Sequence, residues 1–253
     1  MKTLAIVLLA ACAVAEAADL PKAETLFEKY ITVTGGMAAY AQRRTEVAKG
    51  TVQMAASGVT GTAEFYSAAP NSQVIIMEVQ GVGRIEQGTD GVRAWELSEV
   101  AGPRLKEGAE RIEALREALF NLPANWRKLY AKVDTVAAET TEGIECYKVL
   151  ATTTNGGKVE TWWFDRKTGY TVKNRRTAIT GMGEIPAELI FKDFKKTGTV
   201  IQPLTLLQRA GGQEVVIRLV TVNPNAAIPA SRFAPPAEIR QLMPVPQTRK
   251  KAA

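Results

Sequence analysis

Residues 58–96 read GVTGTAEFYSAAPNSQVIIMEVQGVGRIEQGTDGVRAWE, and this stretch decides the fold class. Short runs rich in β-branched and aromatic residues are separated by Pro70-Asn71, Gly81-Val82-Gly83 and Asp90-Gly91. Glycine and asparagine supply the backbone conformations that tight turns need, so the runs read as four short strands of an antiparallel sheet. Gly81-Val82-Gly83 holds part of a dinucleotide fingerprint, but the third glycine and the helix behind it are missing, so it is a turn.

Upstream, Ala23 to Thr34 places Leu26, Phe27, Tyr30 and Ile31 at helical spacing, and Gly35-Gly36 stops the helix. A shorter helical turn through Ala38 to Gln42 is expected next. Strands are predicted near Val47–Ala55, Thr60–Ser67, Ser72–Val79, Gly83–Gln87 and Val92–Leu97. Glu107 to Tyr130 breaks that rhythm: Ile112, Leu115, Leu119 and Leu122 share a helical face, Pro123 divides it, and Trp126 and Tyr130 continue the stripe. Strand patterns resume from Val133 and run, with turns at Glu142-Gly143, Asn155-Gly156-Gly157, Lys167-Thr168-Gly169 and Gly211-Gly212, as far as Val222. Residues 224–253 are proline-rich and are expected to lie extended or to fray. The order is a helix, about five strands, a helical insertion, about six strands and a tail. The fold class is mainly β (α+β): a large antiparallel sheet that must curl into an incomplete (half) β-barrel, with the helices as its plugs.

Composition narrows the function classes. With 46% hydrophobic and 23% charged residues, the chain is an ordinary globular protein of a length that one β-rich domain can fill. The formal charge of +6 is scattered apart from Arg249-Lys250-Lys251, which is not the pattern of a nucleic-acid partner. There is no histidine, so most hydrolytic and metal-site templates lose their central member. Cys-x-x-Cys and phosphate-loop motifs are missing too. Glu64, Glu78, Glu86 and Glu96 fall on alternate strand positions, where solvated outer-face residues belong. No enzyme, metal or cofactor is expected.

The N-terminus points to export. Lys2, the apolar run Leu4 to Ala15 and the small-x-small site Ala15-Glu16-Ala17 form a signal peptide over residues 1–17, and the run is too short to span a bilayer permanently. A competing reading takes Leu9-Ala10-Ala11-Cys12 as a lipobox with Cys12 acylated; no flexible tether follows Cys12, and simple secretion is favoured. The domain division is then residues 1–17 signal, 18–236 one half-barrel domain, and 237–253 an extended or disordered basic tail. Cleavage leaves Cys146 alone, so no internal disulfide forms and the fold rests on its apolar core.

In order along the chain, Pro70-Asn71, Asp90-Gly91-x-x-x-Trp95, Phe164-Asp165 before Thr168-Gly169, and Phe233-x-Pro235-Pro236 match an envelope family. On these motifs, over most of the mature length, the sequence resembles the LolA/LolB-type lipoprotein carriers and the broader lipoprotein-sorting-like domains. The resemblance implies a periplasmic or secreted, non-catalytic protein. Its half-barrel mouth would be closed by helices over an apolar cavity for lipid or lipoprotein acyl chains. One position departs: carriers of this family have an arginine just before the proline of the Pro-Asn pair that latches the lid, and here that residue is Ala69. An alanine donates no hydrogen bond, which implies a looser lid.

Lining candidates, chosen for size and position, are Phe65, Ile76, Trp95, Leu119, Trp126, Tyr130, Trp163 and Phe191. Large aromatics on half-buried surfaces are more often core anchors, so each competes with a structural role. Trp162 and Trp163 are adjacent on a strand and must point to opposite faces. The alternative function is an envelope interaction or sensor module that grips a protein partner with the same concave face or a sheet edge.

Overall fold

A computed structural model describes residues 20–181 and 183–244. The expected signal peptide, Cys12 and residues 245–253 of the tail lie outside the described residues. Helix α1 (Ala23–Val33) forms where the stripe predicts, and Leu26, Phe27, Tyr30 and Ile31 are its buried face. It ends at Gly35, whose φ of 131° and close approach to the Thr199 carbonyl (a Cβ would lie 2.8 Å from it) admit no side chain. Helix α2 (Gly36–Ala41) follows.

Six strands come next: β1 (Thr45–Met54), β2 (Thr60–Ala68), β3 (Ser72–Val79), β4 (Gly83–Thr89), β5 (Ala94–Ser98) and β6 (Gly102–Lys106). The insertion holds α3 (Gly108–Glu117), a 3-10 turn at Leu122–Asn125 and the single-turn α4 (Trp126–Leu129). Seven strands complete the sheet: β7 (Tyr130–Thr141), β8 (Ile144–Thr153), β9 (Val159–Asp165), β10 (Thr171–Thr180), β11 (Gly183–Thr197), β12 (Val200–Ala210) and β13 (Gln213–Pro224). All pair antiparallel in one 13-stranded sheet, ordered β6-β5-β4-β3-β2-β1-β13-β12-β11-β10-β9-β8-β7. Thus β1–β13 pairing joins an N-terminal and a C-terminal arm, with β6 and β7 at the two edges. The strand the sequence does not suggest is β6. Its Gly102-Pro103 start looks like a break, but Pro103 pairs only with Leu97 on an edge, where a missing N–H is harmless.

The sheet is open and strongly curled. A Cβ on Gly181, at the β10–β11 hairpin, would lie 3.2 Å from the Arg104 guanidinium on β6. Those strands are nine places apart in the order, roughly 43 Å in a flat sheet at about 4.8 Å per strand. This is the half-barrel architecture expected from the strand pattern.

Cross-strand register identifies the two faces. Phe191 pairs with Leu206, Leu206 with Ile217, and Ile217 with Val52, so these four share the inner face. Helices α1, α2 and α4 cover the C-terminal arm of that face, where Leu26, Phe27, Tyr30, Trp126, Val149, Phe164 and Val200 form the main core. A second core sits on the outer face of the N-terminal arm: Val74, Ile76 and Trp95 pack with Phe233 and Ile239. Trp95 is fully buried and lies over Gly88, where any Cβ would come within 2.3 Å of the indole.

The C-terminal segment therefore differs from the extended or fraying arm that its prolines suggest. It makes a 3-10 turn at Ala230–Phe233 and a short helix α5 (Ala237–Gln241), and Ile239 is 0% exposed. Pro235-Pro236 opens this helix instead of preventing it, because proline's fixed φ and missing N–H suit a helix start. The Pro-Asn and Asp-Gly motifs also prove to be one corner: the Asn71 side-chain amide donates to the Gly91 carbonyl (3.3 Å), and the Asp90 carboxylate accepts from the backbone N–H groups of Val92 (2.9 Å) and Arg93 (2.6 Å).

Candidate ligand cavity

Between α1 and the inner face of β9–β12 lies a cavity of about 280 Å³. Eight of its lining residues are aromatic. Phe27 of α1 stacks on Trp126 of α4 (centroids 4.9 Å apart, 17° between planes) and meets Phe164 edge-on at 5.0 Å. Trp162 stacks on Phe191 at 6.1 Å and 5°. Leu189 and Val200 complete the apolar wall. Stacked and edge-on pairs of this kind contribute beyond their buried area.

One end of the cavity is polar. Glu160 of β9 accepts from the Tyr130 hydroxyl (2.6 Å) and the Asn174 side-chain amide (3.5 Å), and it pairs with Arg116 of α3. Tyr130 in turn accepts from the Trp162 indole N–H at 2.9 Å. Burial, reinforced by the Glu160 carboxylate, pushes the Tyr130 phenol well above its ordinary range, so it stays a neutral donor. Arg43 is also in the wall, 6% exposed, paired with Glu46 and lying over the Phe120 ring at 5.6 Å. Three N–H donors on wall residues have no partner among the described residues: Arg43 Nε, Arg176 Nε and Trp126 Nε1.

Two groups that could take part in bond chemistry are not free for it. The Glu160 carboxylate is occupied by three donors. Cys146 is buried on the outer face beside Trp163 and Val172, and burial pushes its thiol up to about 11, far from a reactive thiolate.

The eight sequence-chosen residues separate in space. Trp126, Tyr130 and Phe191 line the cavity. Leu119 packs against the same core without reaching the cavity wall. Phe65 pairs with Ala48 and Ile75 on the inner face but in the other arm, half-buried and outside the cavity. Ile76 and Trp95 belong to the outer-face core under the C-terminal segment. Trp163 is also on the outer face, donating to Glu139 (2.7 Å) beneath the Lys173 ammonium at 4.5 Å. Its neighbour Trp162 takes the cavity position. Residues not on the sequence-derived list, Phe27, Trp162, Phe164 and Glu160, carried a readable signal: Glu160, Trp162 and Phe164 are in phase along β9. The helical stripe of the insertion also divides. Leu119, Leu122 and Trp126 join the core, whereas Ile112 is 47% exposed.

Ala69 makes no side-chain latch, yet the insertion is tied down. The Phe120 N–H donates to the Pro70 carbonyl (2.9 Å), next door to Ala69, and the Asn121 amide donates to the Tyr40 carbonyl (2.8 Å). The insertion is therefore held by its own residues.

No protein-family profile matches the sequence, and no curated protein matches it either. Solved structures do. A DUF1329 family protein from Desulfovibrio piger superposes with a TM-score of 0.58 at 10% identity, covering 85% of this chain and 98% of that one. A LolA superfamily protein from Nitrosomonas europaea gives 0.56 at 12% identity, covering 85% and 99%. An outer membrane lipoprotein-sorting protein domain from Vibrio parahaemolyticus gives 0.55 at 13% identity, covering 83% and 97%. Superposition over 97–99% of these proteins gives this chain the LolA-like half-barrel fold.

Proposed function

We propose that this chain is a non-catalytic envelope binding protein that holds the acyl chain of a lipid or lipoprotein in the cavity beneath α1 and α4. The observation that carries this reading is the aromatic-walled cavity of about 280 Å³, close to the lower end of small-molecule sites at roughly 300 Å³. Beyond the cavity the inner face continues with the half-buried Leu206 and Ile217, so a chain longer than the cavity meets further apolar side chains. Each methylene buried contributes about 0.8 kcal/mol, and a partly buried chain suffices for measurable binding. The unmatched donors on Arg43, Arg176 and Trp126 suit the acceptor oxygens of an ester or carboxylate. An envelope location is supported by the Lys2-to-Ala17 export signal, and no described helix is long and apolar enough to cross a membrane.

Titration with a fluorescent long-chain fatty acid tests the reading. Saturable binding by wild type, weakened in Trp126→Ala, is expected. Absence of saturable binding by folded wild type would overturn it in favour of a module whose inner face receives a protein partner.

A further inference from the structure

A helix that covers a cavity ordinarily does so with an apolar stripe. Helix α3 does the reverse: Glu113 is its buried residue, and Ile112 points to solvent. Its contacts with the sheet are ionic at both ends. At the first turn, Glu110 accepts from Arg104 of β6 at 2.6 and 2.9 Å, and Arg104 also reaches Glu96 of β5 at 3.1 Å. At the last turn, Arg116 holds Glu160 of β9 together with Glu113, to which it donates at 3.0 and 2.6 Å. Beside it, Glu117 pairs with Arg176 of β10 at 2.7 Å. Strand β6 is the edge of the N-terminal arm, whereas β9 and β10 belong to the C-terminal arm, and no ladder joins these strands across the opening. Arg116, Glu117, Glu160 and Arg176 are also wall residues of the cavity.

We infer that α3 is an ionic clasp, joining the two arms of the half-barrel through Arg104–Glu110 on one side and Arg116–Glu160 and Glu117–Arg176 on the other, and that ionic strength sets how fast ligand exchanges past it. This rests on the ligand-binding reading above and adds its regulation. The physical ground is the kind of contact. Partly exposed ion pairs weaken as salt shortens the screening length, from about 30 Å at 0.01 M to about 3 Å at 1 M, though less than fully exposed ones. Apolar retention does not weaken with added salt in this way. The outer pairs are partly exposed, Arg104 and Glu110 side chains at 36% and 13% and Arg176 and Glu117 at 20% and 35%, against 10% and 5% for Arg116 and Glu160, so salt reaches them more than it reaches the inner pair.

The test measures release of a bound fluorescent fatty acid by stopped flow at low and high sodium chloride, for wild type, Glu110→Arg, and the charge swap Glu110→Arg with Arg104→Glu. Wild-type release should quicken roughly fivefold at high salt, on the scale of one such pair. Glu110→Arg should release at low salt as fast as wild type does at high salt, and the swap should restore slow, salt-sensitive release. Release that ignores salt, or a swap as fast as the single variant, overturns the clasp. Amide hydrogen exchange of residues 108–117, read without ligand, separates the two proposals. If α3 exchange rises with salt and is restored by the swap while no fatty acid binds, the clasp stands and the ligand reading falls. If fatty acid binds and neither release nor α3 exchange responds to salt, the reverse holds.

Discussion

Trp162 and Trp163 are consecutive in β9 and serve opposite sides of the protein: the Trp162 indole lies 6.1 Å from Phe191 in the inner cavity, while Trp163 is buried on the outer face against Cys146 and Val172. Alanine at the two positions should therefore have separable effects. Trp162→Ala should weaken fatty-acid binding roughly tenfold, the scale of about 1.4 kcal/mol, by opening the wall and removing the donor to Tyr130. Trp163→Ala should leave affinity close to wild type in the folded fraction and cost about 3–5 kcal/mol of stability in a denaturant melt. Equal affinity loss in both would mean that β9 is assigned to the wrong faces.

The C-terminal helix should matter to folding and not to binding. Ile239 fills the outer core against Trp95, Val74 and Ile76, on the side of the sheet away from the cavity. Ile239→Ala should lower stability by about 2–4 kcal/mol in urea unfolding. Fatty-acid affinity measured well below the transition should be unchanged. A neutral effect on unfolding would show that α5 does not dock in solution.

Acid should loosen α3 before it unfolds the sheet. Burial by itself would raise the Glu113 carboxyl, but the hydrogen bonds and charge of Arg116, with Asn155, hold it below the ordinary value of about 4.3. A carboxylate held low in the folded state contributes stability that is fully present above the unfolded value and is lost as pH falls through the folded one. Stability should thus be level from about pH 5 upward and decline below about pH 4, and Glu113→Gln should flatten that decline. Circular-dichroism melts of both proteins across this range provide the check; identical acid limbs would remove Glu113 from the account.

Export makes a mass prediction. If Ala15-Glu16-Ala17 is the processing site, intact-mass spectrometry of the chain from an envelope fraction should give a product beginning at Ala18. A mass beginning at Cys12 with added acyl groups would instead make the protein a lipoprotein.

Much of the architecture was legible in residues taken a few at a time. The α1 stripe, the Gly35-Gly36 stop and the alternating runs from Val47 to Leu97 appear as helix, turn and strands because helical and strand periods are local properties. Strand β6 follows no strand pattern identified in the sequence, and helix α5 lies in the proline-rich segment expected to be extended. Whether Pro103 or Pro236 interrupts anything depends on whether its nitrogen needed a partner, and an edge strand and a helix start do not require one.

The candidate site divides along the same line. Alternation determined that Trp162 and Trp163 must face apart, that Ile75 and Ile76 must do so too, and that Glu160 travels with Trp162. It carried no absolute sense, because a period of two fixes relative facing and leaves open which face is covered. That choice belongs to the tertiary structure. Helix α1 docks on one side of the C-terminal arm and α5 on the other side of the N-terminal arm, so one sheet has two cores on opposite faces. Only that docking decides that Trp126, Tyr130 and Phe191 share a cavity wall while Trp95, Ile76 and Trp163 hold the sheet from behind.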